Sequence, residues 1–369
     1  MRIGAGVALL AVVVACTSGG GSGPASGGVS AAQACADNAH QRCTQLQNCS
    51  ATDTELRYGS ESACETRETN DCVASLAEPL NGNTPEAVEA CANAYAGWAC
   101  PDYLNNTNIP PACKQQLGPI INGGSCAIDG QCQSGFCGIA PGSACGTCAP
   151  APKVGASCAL LTSCSPGLAC TTDTLKCVAF GVRGSPCGKG AVCGVELSCV
   201  GADVATGVQG TCEQAGEQTG NACDPTLKTG AGCDRNAGLA CNVGVEAEPT
   251  DGGQSVEGGE EGGEEAGTEG GAEGGVEEAG VPGRTCQAVV VATAGQPCGN
   301  DVGGQPAYCQ AEGTCTGASG TTPGTCTAAA ADGAACNLAG GPGCVVPARC
   351  IGNGGTAGTC QYSGAQSCH

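Results

Sequence analysis

The chain reads as a small disulfide-rich protein: an N-terminal helical bundle with internal bridges, then a tandem array of short β-hairpin and turn modules, one of which carries a disordered acidic insertion. Three observations predict this class. Cysteine is close to one residue in ten, 35 of 369, alongside 65 Gly and 20 Pro but only eight aromatic residues. Leu, Ile, Val and Phe together make up about one residue in seven, a share that with a net charge of −21 would ordinarily leave a chain unfolded. Finally, the cysteines recur in a fixed order after residue 122. Bridges can replace the missing core, because a closed loop of about 15 residues contributes roughly 3 kcal/mol in the chain-entropy model.

The first element is an export signal over residues 1–15. Arg2 supplies the positive start, and Ile3 to Ala15 is an apolar or small run too short to span a bilayer. The run ends Val13-Val14-Ala15-Cys16, which resembles a bacterial lipoprotein signal in which Cys16 becomes the lipidated first residue. An ordinary secretory signal with an incidental Cys16 is the alternative. Residues 16–30, rich in Gly and Ser, read as a flexible tether. Thr17 is not the acidic residue that retains some lipoproteins at the inner membrane, so the outer membrane is expected. Without Cys16, 34 cysteines remain, enough for 17 bridges in an oxidising compartment.

Residues 31–118 hold eight cysteines, Cys35, Cys43, Cys49, Cys64, Cys72, Cys91, Cys100 and Cys113, and half of the aromatics. Ala31 to Leu46 and Ser62 to Leu76 read as helices, each with two cysteines eight apart on one broad face. Thr84-Pro85-Glu86 is a helix start, with Thr as N-cap and Pro in the first turn. Val88, Cys91, Tyr95 and Trp98 then follow at helical spacing. Four internal bridges are expected.

Six modules follow, at residues 119–150, 151–180, 181–214, 215–287, 288–328 and 329–369. Each opens Gly-x-x-Cys and closes on a fourth cysteine, usually as Gly-Thr-Cys. Their cysteines are Cys126, Cys132, Cys137 and Cys148; Cys158, Cys164, Cys170 and Cys177; Cys187, Cys193, Cys199 and Cys212; Cys223, Cys233, Cys241 and Cys286; Cys298, Cys309, Cys315 and Cys326; and Cys336, Cys344, Cys350 and Cys360. Such units are too small to bury a core alone. In the fourth, residues 246–280 carry 12 acids and no Lys or Arg, the composition of a disordered, extended loop.

Two cysteines are left over, Cys145 and Cys368. Pairing them would clip the C-terminal tail to the first module and compact the array, which is otherwise expected to present a rod. The rival is a different pairing among the five cysteines of residues 126–148.

Residues Tyr58-Gly59, Ala63-Cys64, Arg67, Cys72, Thr84-Pro85, Ala90-Cys91 and Pro111-Ala112-Cys113 resemble the N-terminal region of predicted lipoproteins of myxobacteria. Gly-Ser-Cys126, Gln131-Cys132, Ser134-Gly135-Phe136-Cys137 and Gly146-Thr147-Cys148 continue that resemblance to about residue 150. By cysteine spacing alone the modules are similar to Dickkopf N-terminal and colipase-like domains, from which the uneven fourth to sixth units depart. Those are binding modules, so the resemblance implies binding and no catalytic residue.

Catalytic constellations are sparse. The histidines are His40, on an expected helix, and His369, at the terminus. Zinc commonly uses paired Cys-x-x-Cys knuckles, and Cys145 to Cys148 is the one such spacing. The same pair could be a thiol redox couple, though without the βαβ context of that chemistry. The acidic insertion lacks the ligand order of a Ca²⁺ loop. Thirteen Lys and Arg against 34 acids argue against nucleic acid. The expectation is a lipid-anchored structural or binding protein of the cell envelope, without catalysis or cofactor. It would meet the membrane through its lipid and a protein or glycan partner. An accessory or inhibitor of a secreted hydrolase is the alternative, and a periplasmic thiol oxidoreductase working through Cys145 and Cys148 is the second.

Overall fold

The computed structural model describes residues 28–158, 164–242, 284–320, 322–352, 356–362 and 368. Residues 1–15, Cys16, most of the tether, the acidic segment 246–280 and His369 lie outside them. The described residues are disulfide-rich, with an N-terminal helical region and many small β-sheets.

The helical region contains α1 (Ala31–Cys49), α2 (Ala51–Tyr58), α3 (Glu61–Ala77), α4 (Pro85–Ala92) and α5 (Cys100–Leu104). Four hydroxyls cap helix starts: Ser30 accepts from Gln33 N, Ser50 from Asp53 N, Ser60 from Ala63 N and Thr84 from Ala87 N. Eight residues are just over two helical turns, so the paired cysteines of α1 and α3 make two rungs between antiparallel helices, Cys35–Cys72 and Cys43–Cys64. Cys49–Cys100 and Cys91–Cys113 complete four internal bridges. Two expectations need correction. The sequence reading missed α2, a two-turn helix between two capping serines. The helix from Pro85 also does not carry Tyr95 and Trp98. Asn93 folds its side chain onto the carbonyl of Glu89 at 2.9 Å, competing with continued helix, and the backbone tightens into a 3₁₀ turn at Tyr95–Gly97.

Each module has one wiring, first cysteine to third and second to fourth. The bridges are Cys126–Cys137 with Cys132–Cys148, Cys158–Cys170 with Cys164–Cys177, Cys187–Cys199 with Cys193–Cys212, Cys223–Cys241 with Cys233–Cys286, Cys298–Cys315 with Cys309–Cys326, and Cys336–Cys350 with Cys344–Cys360. The third and fourth cysteines sit opposite each other on an antiparallel pair in every module, as in Cys199 with Cys212. They reach across to different partners, so the sulfurs cross at the module centre and stand in for a core.

The two glycine motifs have different causes. Opening glycines Gly123, Gly155, Gly184, Gly220, Gly295 and Gly333 all have φ between 74° and 92°, the left-handed region. A Cβ there would meet nothing. Each turn donates its glycine N–H to the carbonyl of the module's fourth cysteine at 2.8 Å. Closing glycines Gly146, Gly210, Gly324 and Gly358 lie opposite the first cysteine. A Cβ at any of them would fall inside contact distance of a neighbouring strand's carbonyl oxygen, that of Gly138, Val200, Thr316 or Ile351.

The repeat also begins earlier than its first glycine. The linker entering a module pairs in parallel with that module's second cysteine: Ile120 with Cys132, Gly181 with Cys193, Gly216 with Cys233, Ala292 with Cys309 and Ala330 with Cys344. In five of the six modules the pairing thus takes in residues ahead of the opening glycine. In the fourth, Cys241 and Cys286 are directly paired, so both ends of the acidic insertion meet at a hairpin tip.

The array is not a rod; it curls around the helices and closes. Cys145 is bonded to Cys368 with Cα atoms 5.5 Å apart across 223 positions, and Gly352 N donates to the Gly142 carbonyl, joining the sixth module to the first. Val346 of the sixth module packs against the hub core of Cys43, Leu46, Tyr58 and Cys64.

Candidate functional site

The helix that sequence reading missed positions the most developed cavity system. α2 turns buried Thr54 and Tyr58 toward the hub. On its other side Thr52, Asp53, Leu56 and Arg57 line cavities. Three modules fix the opposite wall. Val195 N, from the third, donates to Asn105 Oδ1 at 3.2 Å. Gly238, from the fourth, lies against the Thr52 side chain. From the fifth, Ala311 N donates to Glu55 O at 3.1 Å and Glu312 N to Leu56 O at 2.7 Å. The Glu55 carbonyl also accepts from Gly59 N at 2.9 Å, whereas helix ends leave carbonyls such as that of Leu56 without intrahelical partners, so the fifth module docks on the C-terminal end of α2. Ala311 and Glu312 adopt φ of 52° and 58° to present those N–H groups.

Three cavities lie against α2. The first, of about 420 Å³, is walled by Arg42, Asp53, Arg57, Tyr95, Trp98 and Tyr103, among others. The second, of about 280 Å³, shares Asp53 and Asn236 with the first and adds Arg235 and Tyr308. The third, of about 480 Å³, shares Leu56, Arg235 and Tyr308 with the second and reaches Glu312 and Ser319. Neighbouring cavities with shared lining residues form a groove against α2, and the first and third are each within the size of small-ligand sites.

The aromatic end is held from behind. Trp98 and Tyr103 meet edge to face with centroids 5.3 Å apart, and Tyr95 lies about 6 Å from both. The Trp98 indole N–H donates to Thr107 O at 2.9 Å, and Asp102 Oδ1 holds the loop by accepting from Thr107 and Asn108. Arg42, whose side chain is 41% exposed, reaches Glu68 at 3.4 Å, and Glu68 also accepts from the buried Tyr58 hydroxyl. Beside Glu68, the Arg42 guanidinium is held firmly charged.

Two other arginines differ. Arg57 lies over the Tyr58 ring at 5.6 Å and Arg235 over the Tyr308 ring at 5.8 Å. Neither has an ion-pair partner among the described residues. Between them Asp53 has its carboxyl pushed up by burial, which outweighs Arg57 and Arg235. Burial likewise raises Glu312, with Arg57 opposing. The groove therefore sets donors and acceptors side by side without joining them.

A cavity of about 500 Å³ in the fourth module is larger, but its one deeply buried carboxylate is already used. Asp224 accepts from Thr226 N and Oγ1, Lys228 N, and Thr229 N and Oγ1. Despite burial, those bonds from Thr226 and Thr229 hold it well below the usual carboxylate range.

The residues singled out by sequence fall elsewhere. Triplets of cysteine sulfurs lie within 4.8 Å in the modules, as metal ligands would, but each sulfur is spent in a crossing bridge. Cys145 and Cys148 belong to different bridges, to Cys368 and to Cys132, so Cys-Gly-Thr-Cys does not hold the short-loop disulfide of a thioredoxin-type couple. His40, with a side chain 60% exposed, meets the Glu65 carboxylate at 2.6 Å, and that bond raises its pKa. It faces a carboxylate, not a hydroxyl or thiol to activate. Arg42, Asp53, Arg57, Arg235 and Tyr308 were missed. Their signal was scarcity: the chain has eight aromatics and 13 Lys and Arg, and four of the former and three of the latter line this groove. Comparison with family models, with curated proteins and with solved structures finds no match.

Proposed function

We propose that this chain is a lipid-anchored, extracytoplasmic binding protein of the cell envelope, held at the outer membrane through Cys16, with the groove along α2 as its ligand site and no catalytic step. The observation that carries the reading is the groove itself, in which Arg57, Arg235 and Asp53 form no ion pair among the described residues, on walls that three bridged modules hold in place. Preorganised polar groups of this kind suit recognition, because little ordering remains to be done on binding. The bridge density supports an oxidising compartment. The run Val13-Val14-Ala15-Cys16 and the even cysteine count after it support the anchor. The resemblance to Dickkopf- and colipase-like modules and to myxobacterial lipoproteins supports binding over catalysis.

Two measurements test this. Cys16→Ser should move the protein from the membrane to the soluble extracytoplasmic fraction; unchanged membrane retention refutes the anchor. The mature chain should withdraw a defined component from solubilised native envelope, and a variant carrying Arg57→Ala and Tyr308→Ala should not. Equal capture by both refutes the groove.

A further inference from the structure

We propose that the groove along α2 accommodates an uncharged oligosaccharide, its hydroxyls bridging the separated donors and acceptors and its rings lying against Tyr308 and the Trp98 end. The inference rests on the reading of this groove as the ligand site and adds the class of ligand.

Length is the first argument. Three adjoining cavities, of about 420, 280 and 480 Å³, border the same short helix. A ligand filling them is extended and built of several units. Charge is the second. Arg57 and Arg235 are offset by Asp53 and Glu312, and Arg42 by Glu68 behind the wall, so the groove with its backing is formally neutral. The chain around it carries −21, a field that repels anions from a distance. An anionic ligand would also meet two carboxylates already made costly by burial. A cationic one would meet three guanidinium groups.

Hydrogen-bonding capacity is the third argument. Asp53 and Arg57 stand one turn apart on α2, a spacing that usually favours an ion pair, yet none forms. Guanidinium groups only donate, ionised carboxylates only accept, and carboxamides such as Asn236 do both. A hydroxyl donates and accepts, so a run of vicinal hydroxyls can satisfy such a sequence of groups without carrying charge. Aromatic rings complete the set. Tyr308 is half-buried with Arg235 on it, and an aromatic face accepts the C–H surface of a pyranose as it accepts other positively polarised edges. An acyl chain is disfavoured, since burying Arg57, Asp53 and Arg235 against hydrocarbon would leave them unsatisfied.

The chain's single tryptophan lines the groove and supplies the readout. The mature chain should be titrated with uncharged β-linked glucose and N-acetylglucosamine oligomers from disaccharide to hexasaccharide, and with oligogalacturonate as the carboxylated control. The expected result is a saturable shift of Trp98 emission with the uncharged series, with affinity rising with length. Tyr308→Ala and Asp53→Asn should each weaken binding about tenfold or more, with the disulfide map preserved and the melting temperature not lowered. Tyr308→Phe keeps the ring and should bind as the parent does. No saturable response to any uncharged oligomer, preference for oligogalacturonate, or binding indifferent to both Tyr308→Ala and Asp53→Asn would overturn the proposal. If the chain still captures an envelope component through the groove while uncharged oligomers leave Trp98 silent, the ligand class falls and the binding reading stands. If groove variants alter neither measurement, both fall.

Discussion

Removing the Arg67 side chain should undock the sixth module without unfolding it. Arg67 leaves α3 and donates from Nε to Val346 O at 2.7 Å and from Nη2 to Val345 O at 2.6 Å. It also makes a two-pronged contact with Asp332, at 2.6 and 3.2 Å, and lies over the Tyr362 ring at 5.6 Å. Its side chain is 14% exposed and that of Asp332 39%. Charge-assisted bonds to two backbone carbonyls are worth roughly 1.5–3 kcal/mol each. The Asp332 contact is open enough to solvent to be discounted to under about 1 kcal/mol. Arg67→Ala should therefore cost roughly 3–7 kcal/mol, all of it at the contact that seats Val346 against the hub. The module keeps Cys336–Cys350 and Cys344–Cys360 and stays tethered by Cys145–Cys368, so its own sheet should persist. Native-state hydrogen exchange is the assay. Amides across residues 343–351 and on the facing side of α3 should exchange on the order of a hundredfold faster or more, while amides of the first to third modules keep their rates. Asp332→Asn should do far less. Unchanged exchange in Arg67→Ala, or equal effects of the two substitutions, would refute this account of the docking.

Other perturbations read out the same design. Acid should loosen the sixth module: although burial opposes it, bonds from Tyr362 and Arg67 hold the Asp332 carboxyl below its ordinary 3.8, so its contribution is complete above that value and is lost as pH falls through the folded pKa; exchange in residues 343–351 should rise there and Asp332→Asn should flatten the profile. Asp53 has the opposite sign, because burial raises its carboxyl: ionisation above 3.8 costs the folded state, so Asp53→Asn should raise the melting temperature at neutral pH even as it weakens ligand binding. Gly184→Ala should cost about 1–2 kcal/mol, the left-handed penalty alone, whereas Gly210→Ala, whose Cβ would run into the Val200 carbonyl, should disturb the pairing of Cys187, Cys193, Cys199 and Cys212 in non-reducing peptide maps; equal effects would contradict the assignment of the two glycines. Deleting residues 246–280 should leave melting and bridge formation unchanged, since Cys241 and Cys286 already meet across the hairpin and a long loop adds little closure entropy.

What the sequence disclosed was what repeats or has a local period. Cysteines eight apart announced a bridged face on each of α1 and α3, without saying that the two faces pair, and Thr84-Pro85 announced the start of α4. The recurring Gly-x-x-Cys announced each module. Connectivity within a module could not be read, because 1–3/2–4 wiring depends on the third and fourth cysteines lying side by side on neighbouring strands, a relation set by pairing and not by spacing. α2 was hidden by its brevity. The end of α4 was missed because Val88, Cys91, Tyr95 and Trp98 keep helical spacing while Asn93 terminates the helix between them. The groove was illegible for a similar reason: Arg42, Asp53, Arg235 and Tyr308 come from distant parts of the chain, and only the curl of the array brings them together.

That curl follows from how the modules are built. A module of two crossing bridges has almost no apolar interior, and it borrows backbone pairing from the linker before it, as Ala330 does with Cys344 and Gly216 with Cys233. In any such array each unit is stabilised by a neighbour, and the terminal units need caps. The first module is served by the helical hub, which delivers Ile120 to Cys132. The sixth module is held through Arg67 to the hub, through Gly352 to Gly142, and through Cys368 to Cys145. Joining residues 223 apart is worth roughly 5 kcal/mol in the entropy model, an upper limit because the other bridges already restrain that loop. Closing the array thus ties the sixth module to the first and places the third, fourth and fifth modules within a closed ring around the hub. Replacing both Cys145 and Cys368 by Ser should consequently raise hydrogen exchange first in the sixth module. It should also weaken ligand binding at the groove, although neither cysteine lines it. Binding unaffected by opening the ring would show that the hub contacts of those three modules suffice by themselves.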